Sequence, residues 1–196
     1  NPNAQQIYGA SILMNGQSVV ASETGKVIFE YWHGIDLPPG LAIPKQVATI
    51  LNKIPKKLTR FGFSEKSITF YFEDNSWVKS QLYASQWPSV SHILDRPCNA
   101  FPLPSDFFAG LEAIAPFSET GSVYFERELL CSHQSEGLGA TFEVKGLPKG
   151  PIYTAKYLQM IKSYVETIDF VCPTNHGGYM LMFYGKNVRG VIAGHG

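Results

Sequence analysis

Two runs of basic side chains are the residues of this sequence best suited to chemistry, and the chemistry is contact with phosphate. Between Asp36 and Ser64 stand Lys45, Lys53, Lys56, Lys57 and Arg60, with no acid after Asp36. Between Glu143 and Glu166 stand Lys145, Lys149, Lys156 and Lys162, again with no acid. Such residues neutralise phosphates without reading a base edge, so their contacts are sequence-independent and salt-sensitive. A single basic run also fits a plain solvated helix face. Two runs at equivalent places of a repeat weigh against that plain reading. The chain as a whole carries 16 basic and 16 acidic residues, which argues against binding nucleic acid by bulk charge.

Catalytic and metal chemistry find less support. His33, His92, His133, His176 and His195 stand at no metal-ligand spacing with one another, with a cysteine or with a carboxylate. Cys98, Cys131 and Cys172 are odd in number and far apart, which suggests neither a zinc site nor a disulfide framework; reduced structural thiols of a cytoplasmic protein are expected. His176 lies in Asn175-His176-Gly177-Gly178, a hairpin-turn sequence. Asp169 alternates with Ile168 and Phe170, which predicts a solvent-facing position on a strand. No nucleophile elbow, P-loop or dinucleotide fingerprint is present. The expectation is a non-catalytic protein with no catalytic residue, metal or cofactor. No apolar run approaches the roughly 18 residues of a membrane span. The start, Asn1-Pro2-Asn3 without methionine, suggests a fragment or a processed form.

The elements that position the basic runs recur three times. Each copy is a short apolar strand, an amphipathic helix and three strands, opening at Leu41-Ala42-Ile43-Pro44, Phe101-Pro102-Leu103-Pro104 and Pro151-Ile152-Tyr153-Thr154. With Ile43, Leu103 and Tyr153 in register, the following positions Val47/Phe107/Tyr157, Ala48/Phe108/Leu158, Leu51/Leu111/Ile161 and Ile54/Ile114/Tyr164 are all apolar and share one helix face. Helices are predicted over 45–54, 106–115 and 155–165; the middle one carries Asp106 and Glu112 and no base. Strands are predicted over 10–15, 18–22 and 26–32, then 59–64, 67–73 and 77–84, then 122–126, 129–133 and 140–145, and finally 167–172, 179–184 and 188–193. A period of about fifty to sixty residues means repeated supersecondary units. Two copies make a domain. The chain therefore divides into 1–95, lacking its first strand and helix, and a complete domain over 96–196, with a linker from Trp87-Pro88 to Pro97.

This α+β order, with these residues, resembles the bacterial sliding clamp, the beta subunit of DNA polymerase III, over its second and third domains. Ile7-Tyr8-Gly9 with Ile12-Leu13, Val20-Ala21-Ser22-Glu23-Thr24-Gly25-Lys26, the stretch from Ser80-Gln81-Leu82 through Trp87-Pro88 to Ile93, and Asn187-Val188-Arg189-Gly190-Val191-Ile192-Ala193 each resemble family segments. The resemblance implies β-α-β-β-β units with helices on one side of antiparallel sheets. It also implies a processivity factor whose ring encircles duplex DNA and slides. DNA contacts are expected from Lys45, Lys53, Lys56, Lys57, Arg60, Lys156 and Lys162. Carried over by position, a cleft for short peptide motifs of DNA polymerase and clamp loader would involve Ile7, Gly25, Lys26, Val27, Pro88, His92, Ile93, Val191, Ile192 and Ala193. A homo-oligomeric ring is expected of the full-length protein. The sequence departs from the family at Lys26-Val27, in the longer Ser22-Glu23-Thr24, and in the ending Ala193-Gly194-His195. The alternative is a β-rich carbohydrate- or protein-binding module with no DNA role, in which Trp32, Trp77 and Trp87 would stack on sugars. The repeated basic helix argues against it.

Overall fold

The computed structural model describes residues 4–135 and 137–195. Asn1-Pro2-Asn3, Glu136 and Gly196, all within the predicted domains, lie outside the described residues. The chain divides into two compact units, Asn1–Ser89 and Val90–Gly196.

The first unit runs α1 (Ala4–Ala10), β1 (Ser11–Asn15), β2 (Ser18–Glu23), β3 (Val27–Trp32), β4 (Pro39–Pro44), α2 (Lys45–Leu51), β5 (Leu58–Phe63), β6 (Ser67–Phe72) and β7 (Trp77–Gln81). The second runs α3 (Ser91–Leu94), β8 (Phe101–Pro102), α4 (Phe107–Ile114), β9 (Ser122–Glu126), β10 (Leu129–Cys131), β11 (Thr141–Glu143), β12 (Ile152–Thr154), α5 (Ala155–Met160), β13 (Thr167–Pro173), β14 (Tyr179–Gly185) and β15 (Val188–Ala193).

All the pairings within each unit are antiparallel, and they interlock the halves. The strand that opens a copy does not join that copy's own sheet. In the first unit β4 opens the second half but pairs with β1 of the first, Ile12 opposite Ile43. In the second unit β8 pairs with β13 through Phe101 and Ile168, and β12 pairs with β9 through Tyr153 and Val123. The first unit thus holds β4-β1-β2-β3 beside β5-β6-β7; the second holds β11-β10-β9-β12 beside β15-β14-β13-β8.

The register positions of the repeat supply the cores. In the second unit Phe107, Leu111, Ile114, Leu158 and Ile161 are all buried. Phe107 stacks on Phe125 and on Phe170, at centroid separations of 6.1 and 5.1 Å. Tyr153 donates its buried hydroxyl to the Phe170 carbonyl at 2.6 Å, tying the sheet that receives β12 to the sheet that receives β8. Burial pushes the Tyr153 phenol well above its ordinary range. In the first unit Ile43, Val47, Ile68 and Phe70 form the core, with Leu51 of α2 and Phe61 of β5 packed against it. Helix α2 therefore lies on the inward face of β5-β6-β7.

Three expectations are corrected. Residues 4–10 form a helix, where the sequence predicts no helix and assigns only Ala10 to an element, the strand over 10–15. Tyr8 is buried there and meets Trp87 edge to ring at 4.9 Å, while the Trp87 indole donates to the Ser11 hydroxyl at 2.8 Å. That use of Trp87 removes it from the sugar-stacking set. The helices are also shorter than predicted. After Met160 the backbone tightens to three-residue hydrogen bonds, Ile161 to Leu158, Lys162 to Gln159 and Tyr164 to Ile161. Tyr164, apolar in the sequence register, is consequently 54% exposed. Finally, the segment read as linker contains α3.

Candidate nucleic-acid interface

The basic residues fall into three settings. Lys45 opens α2, and its ammonium donates to the Ser22 carbonyl at 3.2 Å and meets the Glu23 carboxylate at 3.4 Å. Lys56 is salt-bridged to Asp74, and Lys162 to Glu112 on α4. Lys53, Lys57 and Lys156 are exposed and carry no ion pair among the described residues. Lys53 follows α2 and Lys156 stands in the first turn of α5. Arg60 is in a third setting. Its guanidinium lies over the Tyr71 ring at 4.5 Å, on the face of β5-β6-β7 opposite the one α2 covers. The structure therefore does not bring Arg60 to the helical side with the lysines.

Asp74 carries the clearest electrostatic signature. The hydrogen bond from Lys56, with others from Ser76, lowers its carboxyl pKa from the ordinary value to about 2. The acids Glu23, Asp74 and Glu112 were missed as partners of the basic runs, and so was Glu126, which meets Lys149 at 2.9 Å. Each is distant in sequence from the lysine it meets, the first three by 22, 18 and 50 positions, so a reading along the chain sees runs free of acid. Exposed pairs of this kind contribute little, so a phosphate can displace the carboxylate at small cost.

The residues expected to hold a partner peptide gather in two places, one in each unit. In the first unit Ile7 and Val27 are buried, Pro88 is half-buried, and Gly25 and Lys26 are exposed in the β2–β3 turn. Gly25 has φ +71°, and a Cβ there would meet the Tyr8 ring at 3.4 Å. In the second unit α3 packs on β15. Arg189 of β15 fixes it by donating to the Leu94 carbonyl at 3.3 Å and pairing with Asp95 at 2.7 Å. This sets His92, exposed, and Ile93, half-buried, beside the strand that carries Val191, Ile192 and Ala193. Val191 and Ile192 are buried, and Ala193 is half-buried.

The residues considered for catalysis are placed as follows. His176 is exposed in the turn between β13 and β14, where the Thr174 and Gly178 backbones pair. Asp169 does not face solvent. It is 4% exposed, and its carboxylate accepts the Asn99 N–H at 2.8 Å and the Val171 N–H at 2.9 Å. The alternation holds through Ile168 and Asp169, and the register shifts only beyond them; Asp169 is buried because the segment that carries Asn99 lies against its face of the strand. Cys98, Cys131 and Cys172 are free thiols; Cys98 lies 3.2 Å from the Tyr184 hydroxyl. Burial, then the hydrogen bond with Cys98, raise the Tyr184 phenol well above its ordinary range. Among the described residues no three His, Cys, Asp or Glu side chains gather as a metal site. No helix among them is long and apolar enough to cross a membrane.

Strand, helix and three antiparallel strands, repeated with the opening strand handed to the other half, is the architecture of the DNA sliding clamps, and this chain has that fold. It superimposes on the DNA polymerase III beta subunit of Borrelia burgdorferi with a TM-score of 0.77 at 12% identity, over 98% of this chain and 57% of that one. For the DNA polymerase sliding clamp of Pseudomonas aeruginosa the TM-score is 0.72 at 14% identity, over 97% and 59%. For the DNA polymerase beta subunit of Streptococcus pyogenes it is 0.68 at 16% identity, over 97% and 58%. The chain thus spans less than two thirds of the length of each. No family model and no curated protein matches the sequence.

Proposed function

We propose that this chain is part of a sliding-clamp processivity factor, a non-catalytic protein that surrounds duplex DNA and tethers a DNA polymerase and other replication or repair proteins to it. The observation that carries the reading is the interlocked clamp fold extending over 97–98% of the chain in the comparisons with Pseudomonas and Borrelia. A ring holds DNA topologically, so strong phosphate binding is unnecessary and a preferred register would impede sliding. Zero net charge with lysines scattered over the helices and the segments that follow them suits that design. Lys53, Lys57 and Lys156 would meet phosphates directly. Lys45, Lys56 and Lys162 would do so by exchanging Glu23, Asp74 and Glu112 for phosphate. The outer strands β7 and β11 are sheet edges through which clamp domains would join into a ring. Short peptide motifs of polymerase and clamp loader would contact Ile93 and Ala193 in the second unit. A cytoplasmic location follows from that role.

Titration of the labelled protein with a short DNA duplex tests the reading. Amide shifts should gather at Lys53, Lys57 and Lys156, with equal weak affinity for unrelated sequences. Each contacting lysine replaced by alanine should lower the log–log salt slope by about one unit. A marked sequence preference, or a slope unchanged by all three replacements, would remove the DNA role. Separately, Ile93→Ala should weaken a polymerase-type clamp-binding peptide; shifts from that peptide elsewhere would relocate the partner site.

A further inference from the structure

We propose that the outward face of β5-β6-β7 is a platform for single-stranded nucleic acid, independent of any duplex contact made by the helices. Alternation along these strands separates two faces cleanly. Phe61, Ile68, Phe70 and Phe72 turn inward, with Phe61 and Phe70 stacked at 5.6 Å. The opposite positions are Arg60 and Gly62 on β5, Ser67, Thr69 and Tyr71 on β6, and Trp77, Lys79 and Gln81 on β7. Two of these are aromatic, two are cationic and none is a carboxylate.

The register aligns the useful ones in a row. Arg60 pairs with Tyr71, and Tyr71 pairs with Trp77. The guanidinium lies over the Tyr71 ring at 4.5 Å. The ring also crosses Gly62, where a Cβ would come within 3.3 Å of it, so the absence of a side chain lets the phenol lie down on the sheet. Trp77 is 61% exposed. With strands about 4.8 Å apart, the indole and the guanidinium–phenol stack form two flat surfaces about 10 Å apart. Lys79 stands one pleat further along β7.

This combination has a specific use. Unpaired bases stack on aromatic rings and on guanidinium planes, while cations between them take the backbone. A duplex hides its base faces and gains nothing from Trp77. The nearest acids lie in the hairpin turns rather than on the face, and Asp74 there is paired with Lys56. The face therefore complements a polyanion with exposed bases better than a neutral glycan, which would need no Arg60 or Lys79.

Fluorescence anisotropy with labelled oligothymidylate, of a length within the roughly 4–16 nucleotides such surfaces span, tests this on the whole chain. Trp77→Ala should weaken binding about tenfold, the scale of one lost stacked base, with the salt slope unchanged. Arg60→Lys keeps the charge but loses the plane, and should weaken it several-fold. Lys79→Ala should instead lower the salt slope by about one unit. An oligomer of the same length without bases should bind like the Trp77→Ala protein. Duplex affinity should be the same for Trp77→Ala as for the unaltered chain, whatever its value, so failure of the clamp reading would leave this test intact. The side chains are exposed, and thermal melting confirms that the variants fold. The proposal is overturned if oligothymidylate does not bind at low salt, if Trp77→Ala and Arg60→Lys both bind normally, if the base-free oligomer binds equally well, or if a neutral oligosaccharide displaces the oligonucleotide.

Discussion

Lys162, just beyond α5, is salt-bridged to Glu112 on α4, so the acid of the middle helix answers a base of the last one. The α4 and α5 helices pack together in the second unit. The pair therefore holds one of the candidate phosphate ligands in reserve. Both side chains are about half exposed, at 49% and 54%, and water weakens their attraction.

Glu112→Gln should release Lys162. Duplex affinity at low salt should rise, and the log–log salt slope should steepen by up to about one unit. Stability should change by less than about 1 kcal/mol, because an exposed pair contributes little. Anisotropy across a salt series and a urea melt measure the two effects; no change in affinity would mean that Lys162 never reaches DNA.

The Asp74 carboxyl should titrate near pH 2, because the Lys56 hydrogen bond and then Ser76 favour its charged form. A group whose folded pKa is depressed contributes stability that is present above its unfolded value, roughly 4, and lost as pH falls through about 2. Carboxyl-carbon NMR of Asp74 reads the midpoint directly. Lys56→Met should move it upward.

Gly185→Ala should disrupt the end of β14. A Cβ at that position would lie 1.7 Å from the Tyr164 carbonyl oxygen, and backbone cannot swing aside as a side-chain tip can. The neighbouring Glu166 N–H to Tyr184 carbonyl bond, at 2.8 Å, pins the same turn. The expected loss is at least about 3 kcal/mol, at the upper end of overpacking costs, measured as a lower urea midpoint.

Asp169→Ala should remove the acceptor of both the Asn99 and Val171 amides at a buried position. A fully buried orphaned donor costs about 1–3 kcal/mol, and these two, in part-buried bonds, should cost less. Hydrogen exchange at those two amides should quicken more than at the β14–β15 ladder. Equal protection before and after would show that neither bond matters to local stability.

Much of the fold was legible in the sequence because its signals are local. The apolar offsets after Ile43, Leu103 and Tyr153 recur at the spacing of one helix face, and β-branched and aromatic alternation marks the strands. Turn residues bound them, as in Asn15-Gly16, where Gly16 takes φ +66°. Element order and fold class therefore followed from short-range patterns and their repetition. The candidate site was legible only as residue types. The basic runs could be seen, but not that Glu23, Asp74, Glu112 and Glu126 had been folded against four of their members.

What the tertiary structure alone decided comes from contacts distant in the chain. It placed Arg60 on the face away from α2, because sheet alternation and helix packing jointly fix the side and neither is visible in a basic run. It made residues 4–10 a helix, because Tyr8 finds Trp87 nearly eighty positions on and a seven-residue helix cannot hold itself together in water. It buried Asp169 against Asn99, whose amide comes from a segment seventy positions away. The sequence by itself determined the order of the strands and of the three repeat helices, since propensity and periodicity act over a few residues. Which charges stay free, which face each side chain takes and which polar groups are buried were decided by the assembled fold, since each depends on a neighbour that only packing supplies.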